Sequence, residues 1–461
     1  MKTGTLINDM TQGPLGRQLI KFSLPYMLAS LLQTIYTLVD LAIVGQFVGS
    51  TGLSAVSISG NVTFLLYCLG IGLGSGGQIL ISQQVGAKEY DKLHRTLGTI
   101  YTFGIIAALA MMTLGLIITK PVLGLLNTPA EAMDDAVSYL TVCCLGVPFT
   151  YMYAGMSDSL RGMGDSLRPF IFIAVAAVTN LVLDLLFVAV FDMGVFGAAL
   201  ATAISQLVSL VFTVVYLYRR RHEVGFDFKL KSFRIDKGIL ATILRLSLPL
   251  VLMNASINLS MMFVSSYMNA YGIIASSVSG VGMKLNGLMN IVSSAVMSAE
   301  STIVGQNIAA GKRDRVSRAM YIGWGLCIVF CVVVGGLLRI FPEPMFRIFS
   351  SDPEVLAMAP KYMSIAFWMY ISFALMAPPL GLINGVGFTS LNLVIALLDG
   401  VAARIGLSLL FGVVMDMGLE GFWWGSALAG YVSVILPSIY FFSGLWKKRR
   451  TLAGPASAQT A

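Results

Sequence analysis

Long apolar runs alternate along the chain with short breaks rich in charged residues, Gly, Pro and Asn. A membrane-spanning helix needs about 20 mostly apolar residues in succession, and runs of that length recur from one end of the sequence to the other. Reading between the breaks predicts twelve helices, near 19–46, 53–80, 96–118, 136–157, 169–190, 195–218, 243–269, 275–304, 319–340, 361–380, 391–414 and 422–446. Met1–Gln18 has no cleavable apolar core with a small-residue exit, so the first span is expected to remain as an anchor.

Composition supports an integral membrane chain. Of 461 residues, 57% are hydrophobic and only 11% charged, against about 25% charged in soluble domains. A soluble enzyme is excluded. Cys68, Cys143, Cys144, Cys327 and Cys331 all fall in apolar runs, and His94 and His222 sit apart in charged loops. That distribution argues against a disulfide framework, a zinc site and haem ligation, so no cofactor is expected.

The basic residues set an expected orientation. Of the 30 lysines and arginines, 24 fall in the N-terminal segment, the even-to-odd loops, the central linker and the C-terminal tail, all on one side. By the positive-inside rule both termini are cytoplasmic and the protein sits in the plasma (inner) membrane. The net charge of +8 then faces anionic headgroups. Membrane lipids are expected partners and nucleic acid is not.

The linker, 219–242, divides two similar halves. Phe22-Ser23-Leu24-Pro25 recurs as Leu246-Ser247-Leu248-Pro249, and Arg161-Gly162-Met163-Gly164 as Asn384-Gly385-Val386-Gly387. Asp192-Met193-Gly194 recurs as Asp416-Met417-Gly418. The offset stays at 223 or 224 residues. Six spans per half give both halves the same orientation, a parallel repeat of the kind transporters use. The expected organisation is an N-lobe at 1–218, the basic linker at 219–242, a C-lobe at 243–446 and a cytoplasmic tail at 447–461.

Ionisable residues inside spans are costly, at about 2.5–3.5 kcal/mol each on the insertion scale, and need a reason. The N-lobe has two, Asp40 in the first span and Asp184 in the fifth, and no Lys or Arg inside its spans apart from Lys21 at the start of the first. Counting along the helices puts both in the outer half at similar depth, with Thr202 level with them. Asn180 precedes Asp184 by one turn and Tyr36 precedes Asp40 likewise. Oxygen ligands without a fixed base suit a proton or a hard cation that comes and goes. In the C-lobe the equivalents of Asn180, Asp184 and Thr202 are Arg404, Ser408 and Ser426. There Glu300 and Asp399 balance Lys284 and Arg404, and structural ion pairs are the default expectation.

Two further features have plainer readings. Gly162-Met163-Gly164-Asp165 matches the GxGD pattern of intramembrane proteases, but Arg161 and Arg168 bracket it at a helix start. A turn is expected. Met253, Met261, Met262, Met268, Met283, Met289 and Met297 are read as packing or lipid-facing residues, with an adaptable binding wall as the alternative.

Pro25, Asp40 in Val39-Asp40-Leu41, the stretch Arg161–Pro169, and Asn180 with Asp184 together resemble the MATE multidrug antiporters, over about 15–445. The resemblance implies an all-α membrane fold of twelve helices in two parallel six-helix bundles, related by a pseudo-two-fold axis along the membrane normal. In the similar DinF-like branch, residues matching Asp40, Asn180, Asp184 and Thr202 form the cation-coupling network. Those matching Tyr36 and Tyr139 line the N-lobe cavity, and the match of Pro25 is where the first helix is proposed to bend. The acid that other branches place in the seventh helix is missing; Asn254 and Asn258 occupy it, and Glu300 is the candidate substitute in a C-lobe polar site. The resemblance implies a monomeric antiporter, not an enzyme, that exports amphipathic cationic compounds in exchange for Na+ or H+. The alternative is a lipid-linked precursor flippase, which would need a strongly cationic cavity.

Overall fold

The computed structural model describes residues 7–224 and 226–452. Lys2 and the end of the expected tail, 453–461, lie outside the described residues. Twelve long helices dominate: α1 (Leu15–Phe47), α2 (Ser50–Gly86), α3 (Tyr90–Leu125), α4 (Ala130–Gly162), α5 (Leu167–Val190) and α6 (Gly194–Arg219) precede the linker. After it come α7 (Lys237–Asn269), α8 (Ile273–Ala309), α9 (Arg313–Ile340), α10 (Pro353–Gly385), α11 (Thr389–Val414) and α12 (Gly418–Phe442). Eleven of these are long and apolar enough to cross a membrane. The exception is α8, which is 37 residues long but interrupts its apolar face with Lys284, Glu300 and many Ser, Gly and Asn residues.

The chain forms two compact units. One holds Met1–Asp9 and Leu28–Leu248, the other Met10–Met27 and Pro249–Ala461. This moves the expected lobe boundary, because the first part of α1 packs in the second unit. Leu15, Leu19 and Phe22 join that unit's apolar core. The preceding strap is held there by hydrogen bonds: Met10 N donates to Gln306 Oε1 at 2.8 Å, Asn307 Nδ2 to the Met10 carbonyl at 3.1 Å, and Arg315 Nη1 to the Gly13 carbonyl at 3.0 Å. Both helices that pass from one unit to the other do so beside a proline, Pro25 in α1 and Pro249 in α7. A helical proline leaves one carbonyl without its backbone donor and weakens the rod there.

Within the first unit α2 and α4 are the most closely packed pair, and within the second α8 and α10 are. Small residues allow this approach. A Cβ at Gly70 would enter the Tyr151 ring, and one at Gly74 would enter the Asp158 carboxylate. In the second unit both helices contribute such glycines: a Cβ at Gly282 of α8 would enter the Tyr362 ring, one at Gly381 of α10 would meet Glu300 and one at Gly385 would meet Val304. The repeated Asp-Met-Gly turns also fold alike, with Asp192 at φ 53° and Asp416 at φ 52°. Aspartate tolerates that left-handed region better than most residues.

The linker is more than a charged strap. Phe226, 1% exposed, packs edge-on to Tyr101 at 5.5 Å and to Phe228 and Phe233 at 4.9 and 5.3 Å. His94, placed by sequence in a charged loop, stands against the same ring at 5.1 Å. Asp236 N then donates to Thr99 Oγ1 at 3.1 Å, tying the linker to α3. Phe226→Ala should remove this plug and cost about 3–5 kcal/mol, read as a fall in thermal stability of the purified protein; an unchanged melting curve would mean the linker is only a tether.

Candidate functional site

In the first unit, Asp40 on α1 and Asp184 on α5 are 7% and 1% exposed. Their carboxyls lie against one another. Among the described residues neither forms an ion pair. Neither oxygen of Asp184, nor Oδ1 of Asp40, receives a hydrogen bond. Two adjacent carboxylates in apolar surroundings repel unless a proton or cation stands between them. The winding of α5 changes at this point: from Leu185 to Val190 it is π-helical, a wider turn that recurs at functional sites.

Asn180, one turn earlier on α5, is 2% exposed and donates through Nδ2 to Thr202 Oγ1 on α6 in a long bond of 3.5 Å. The half-buried Tyr36 and buried Tyr139 both lie within electrostatic range of Asp40. Asp40 thus meets Asp184 and lies near Tyr36 and Tyr139, while Asn180, one turn before Asp184, bonds Thr202. The structure adds two that sequence reading missed, Tyr67 on α2 and Cys143 on α4, which neighbour Tyr36 and Tyr139. A lone Tyr or Cys in an apolar run carries no signal until the fold sets it beside a carboxylate.

The second unit has diverged. Arg404 Nη2 donates to Asp399 Oδ1 at 2.8 Å, with both side chains under 9% exposed, and Ser433 Oγ donates to Asp399 Oδ2 at 2.6 Å. These partners are five residues apart. The stretch Leu397–Ile405 is π-helical, and i→i+5 bonding stacks residues five apart, whereas α winding would splay them. Arg404 Nη1 also donates to the Ser426 carbonyl at 3.3 Å, so positions 404 and 426 join as their equivalents 180 and 202 do.

The other expected pairing fails. Lys284 is exposed and stands over the Phe349 ring at 5.4 Å. Glu300 is fully buried, and neither carboxylate oxygen has a hydrogen-bond partner. The default of two ion pairs is thus corrected to one, because α8 turns Lys284 outward and Glu300 inward.

Beside the Asp399–Arg404 pair is a cavity of about 310 Å³, walled by Asn254, Asn258, Asn290, Met253, Met261 and Met297, among others. Asn254 and Asn258 spend their amide donors on the carbonyls of Leu250 and Asn254, at 2.9 and 2.8 Å. Glu300 is not among the residues that wall this cavity. Three of the sequence-noted methionines do form its wall; Met268 and Met289 are core.

The GxGD match is a turn. Gly164 has φ 89°, and Asp165 accepts from the backbone N–H groups of Leu167 and Arg168 at 3.1 and 3.3 Å, capping α5.

Comparison with known proteins places this geometry in context. The family model described as MatE matches twice, over residues 25–186 and 249–410. The chain is 28% identical over 440 residues to the probable multidrug resistance protein YoeA of Bacillus subtilis, covering 94% of this chain and 95% of that one. It is 24% identical over 432 residues to the multidrug export protein MepA of Staphylococcus aureus, covering 91% of each. Among solved structures, an outward-facing multidrug resistance MATE family transporter of the MOP superfamily superposes with a TM-score of 0.90 at 21% identity, covering 98% of this chain and 100% of that one.

Breaking the buried Asp399–Arg404 pair should be costly. Asp399→Asn strands Arg404 and should lower stability by about 3–5 kcal/mol, whereas Asp399→Leu with Arg404→Met should recover most of the loss. Thermal unfolding of the single and double variants measures both; a double variant as unstable as the single would show that the pair does not act as a unit.

Proposed function

The chain belongs to the MatE family, and from that premise we propose that it is a secondary active exporter of small amphipathic, cationic compounds. Inward flow of H+ or Na+ drives it by alternating access, without enzymatic chemistry or a cofactor. It acts as a monomer in the plasma membrane with both termini in the cytoplasm, a reading supported by the one-sided distribution of 24 of the 30 basic residues.

One observation carries the coupling assignment: the contacting, buried Asp40 and Asp184 carboxyls without a fixed base. A cation or proton between them replaces the repulsion with attraction, so occupancy changes the free energy of this conformation by itself. Asn180 and Thr202 supply neutral oxygens at the same level. Tyr36 and Tyr139 give aromatic faces suited to an organic cation that competes for the same charge. Competition for one site is the simplest route to antiport, since ion and substrate then exclude each other.

The flippase alternative needs a cationic cavity. In the second unit's cavity the one base, Arg404, is already neutralised by Asp399. That favours the exporter.

Purified protein in liposomes, with Na+ and pH gradients imposed separately, tests the proposal through efflux of ethidium. Wild type should respond to one gradient. Asp40→Asn and Asp184→Asn should each reduce gradient-driven efflux to background while folding normally, because each removes like-charge repulsion rather than an attraction. Full coupled transport in both would sink the assignment.

Pro25→Ala restores a backbone donor where α1 changes units. Turnover should fall several-fold with ethidium binding nearly unchanged; equal turnover would leave Pro25 without a part in the conformational cycle.

A further inference from the structure

The tightest helix pair in each unit buries one carboxylate, but from opposite helices. By the repeat offset of 223, Gly77 corresponds to Glu300, Asp158 to Gly381 and Arg161 to Asn384. In the first unit the acid is Asp158 on α4, seated over Gly74 of α2. In the second it is Glu300 on α8, seated over Gly381 of α10 and Gly323 of α9. Acid and glycine have changed sides while the buried acid is kept.

The difference lies in the counter-charge. Asp158 has a guanidinium partner, Arg161 Nη1 at 2.6 Å. At the equivalent of Arg161 the second unit has Asn384, whose Oδ1 accepts from Asn392 Nδ2 at 2.7 Å. Among the described residues, nothing compensates Glu300. From α9 it is faced by Gly323 and the thiol of Cys327, and from α10 by Pro378 and Gly381. The neighbouring part of α1 contributes Leu19 and Phe22 to that core, and its Arg17 and Lys21 are exposed. On α8 itself Lys284 is exposed over Phe349. An ionised carboxylate in such a seat, fully buried and without a donor, costs far more than a neutral acid.

The seat also adjoins the second unit's cavity. Met297, one turn before Glu300, lines that cavity, as do Ala377 and Leu380, the neighbours of Pro378 and Gly381. Residues next to the seat thus line the cavity, and one of them, Met297, is unbranched and readily rotated.

We infer that Glu300 is a proton-carrying site of the second unit, loaded as the neutral acid in this conformation and able to release its proton to water in the cavity when Met297 moves aside. It is separate from the Asp40–Asp184 pair. The use of this proton in transport rests on the exporter reading; the loading of the site does not.

Infrared spectroscopy of the purified full-length protein at neutral pH tests the loading, since a carboxylic acid has a C=O stretch that a carboxylate lacks. In wild type with ¹³C-labelled glutamate, an acid band should shift. None of the other six glutamates is buried, so the shifted band belongs to Glu300. It should vanish in Glu300→Gln and persist in Asp40→Asn. No glutamate-sensitive acid band, or one that survives in Glu300→Gln, overturns the proposal; the labelled wild type decides the matter even if that variant does not fold.

Release is tested in liposomes with a trapped pH dye. Glu300→Gln should still move ethidium, but with at least a twofold lower ratio of protons to ethidium. An unchanged ratio overturns the release step. Failure of wild type to move ethidium under any gradient would sink the exporter reading alone, and the infrared band would still decide the proton site.

Discussion

Buried negative charge without a fixed positive partner is the constraint on which this structure turns. Apolar helices cannot hydrate a carboxylate, and a neighbouring carboxylate makes the position worse. Asp40 and Asp184 are held in that state by two helices of one unit. The fold withholds a lysine or arginine that would make the site permanently neutral, so neutrality depends on a mobile ion. A site that is uncomfortable when empty can bias a conformational equilibrium, whereas a satisfied ion pair has little left to gain.

The two units answer the same problem differently. Both descend to a common plan, visible in the matched Asp-Met-Gly turns and in the paired positions 180–202 and 404–426. In the second unit Arg404 stands where the first has Asn180, and Ser408 where it has Asp184. The exchange converts a cation-seeking site into a closed pair with Asp399. Conversely, the base at Arg161 has become Asn384, which leaves Glu300 unneutralised. Each unit therefore has an arginine-paired buried acid, Asp158 or Asp399, and an unneutralised acidic site, at different places in the same plan.

Helical winding is part of this chemistry. Asp184 stands at the entrance to a π-helical turn, and Asp399 and Arg404 lie inside another. A π turn shifts every following side chain relative to α winding, which re-aims polar groups without breaking the helix. Prolines provide a different local freedom where α1 and α7 change units.

Much of this was legible from residues alone. Apolar run length announced long helices, because a bilayer's thickness leaves a plain mark on sequence. The constant repeat offset announced two related halves. The absence of Lys and Arg from the interior of the first six spans, where only Lys21 stands at one end, marked Asp40 and Asp184 as unpaired before their contact was known. What sequence could not supply was anything that depends on which face a side chain takes. Lys284 and Glu300 were equally eligible for pairing until α8 directed one outward and the other into a glycine-lined seat. Tyr67 and Cys143 joined the acidic site only through packing of α2 and α4. The strap at 10–13 and the first turns of α1 belong to the second unit through hydrogen bonds to residues nearly 300 positions away. Local pattern determines where helices form and which charges are costly; only long-range packing determines which of those charges find partners.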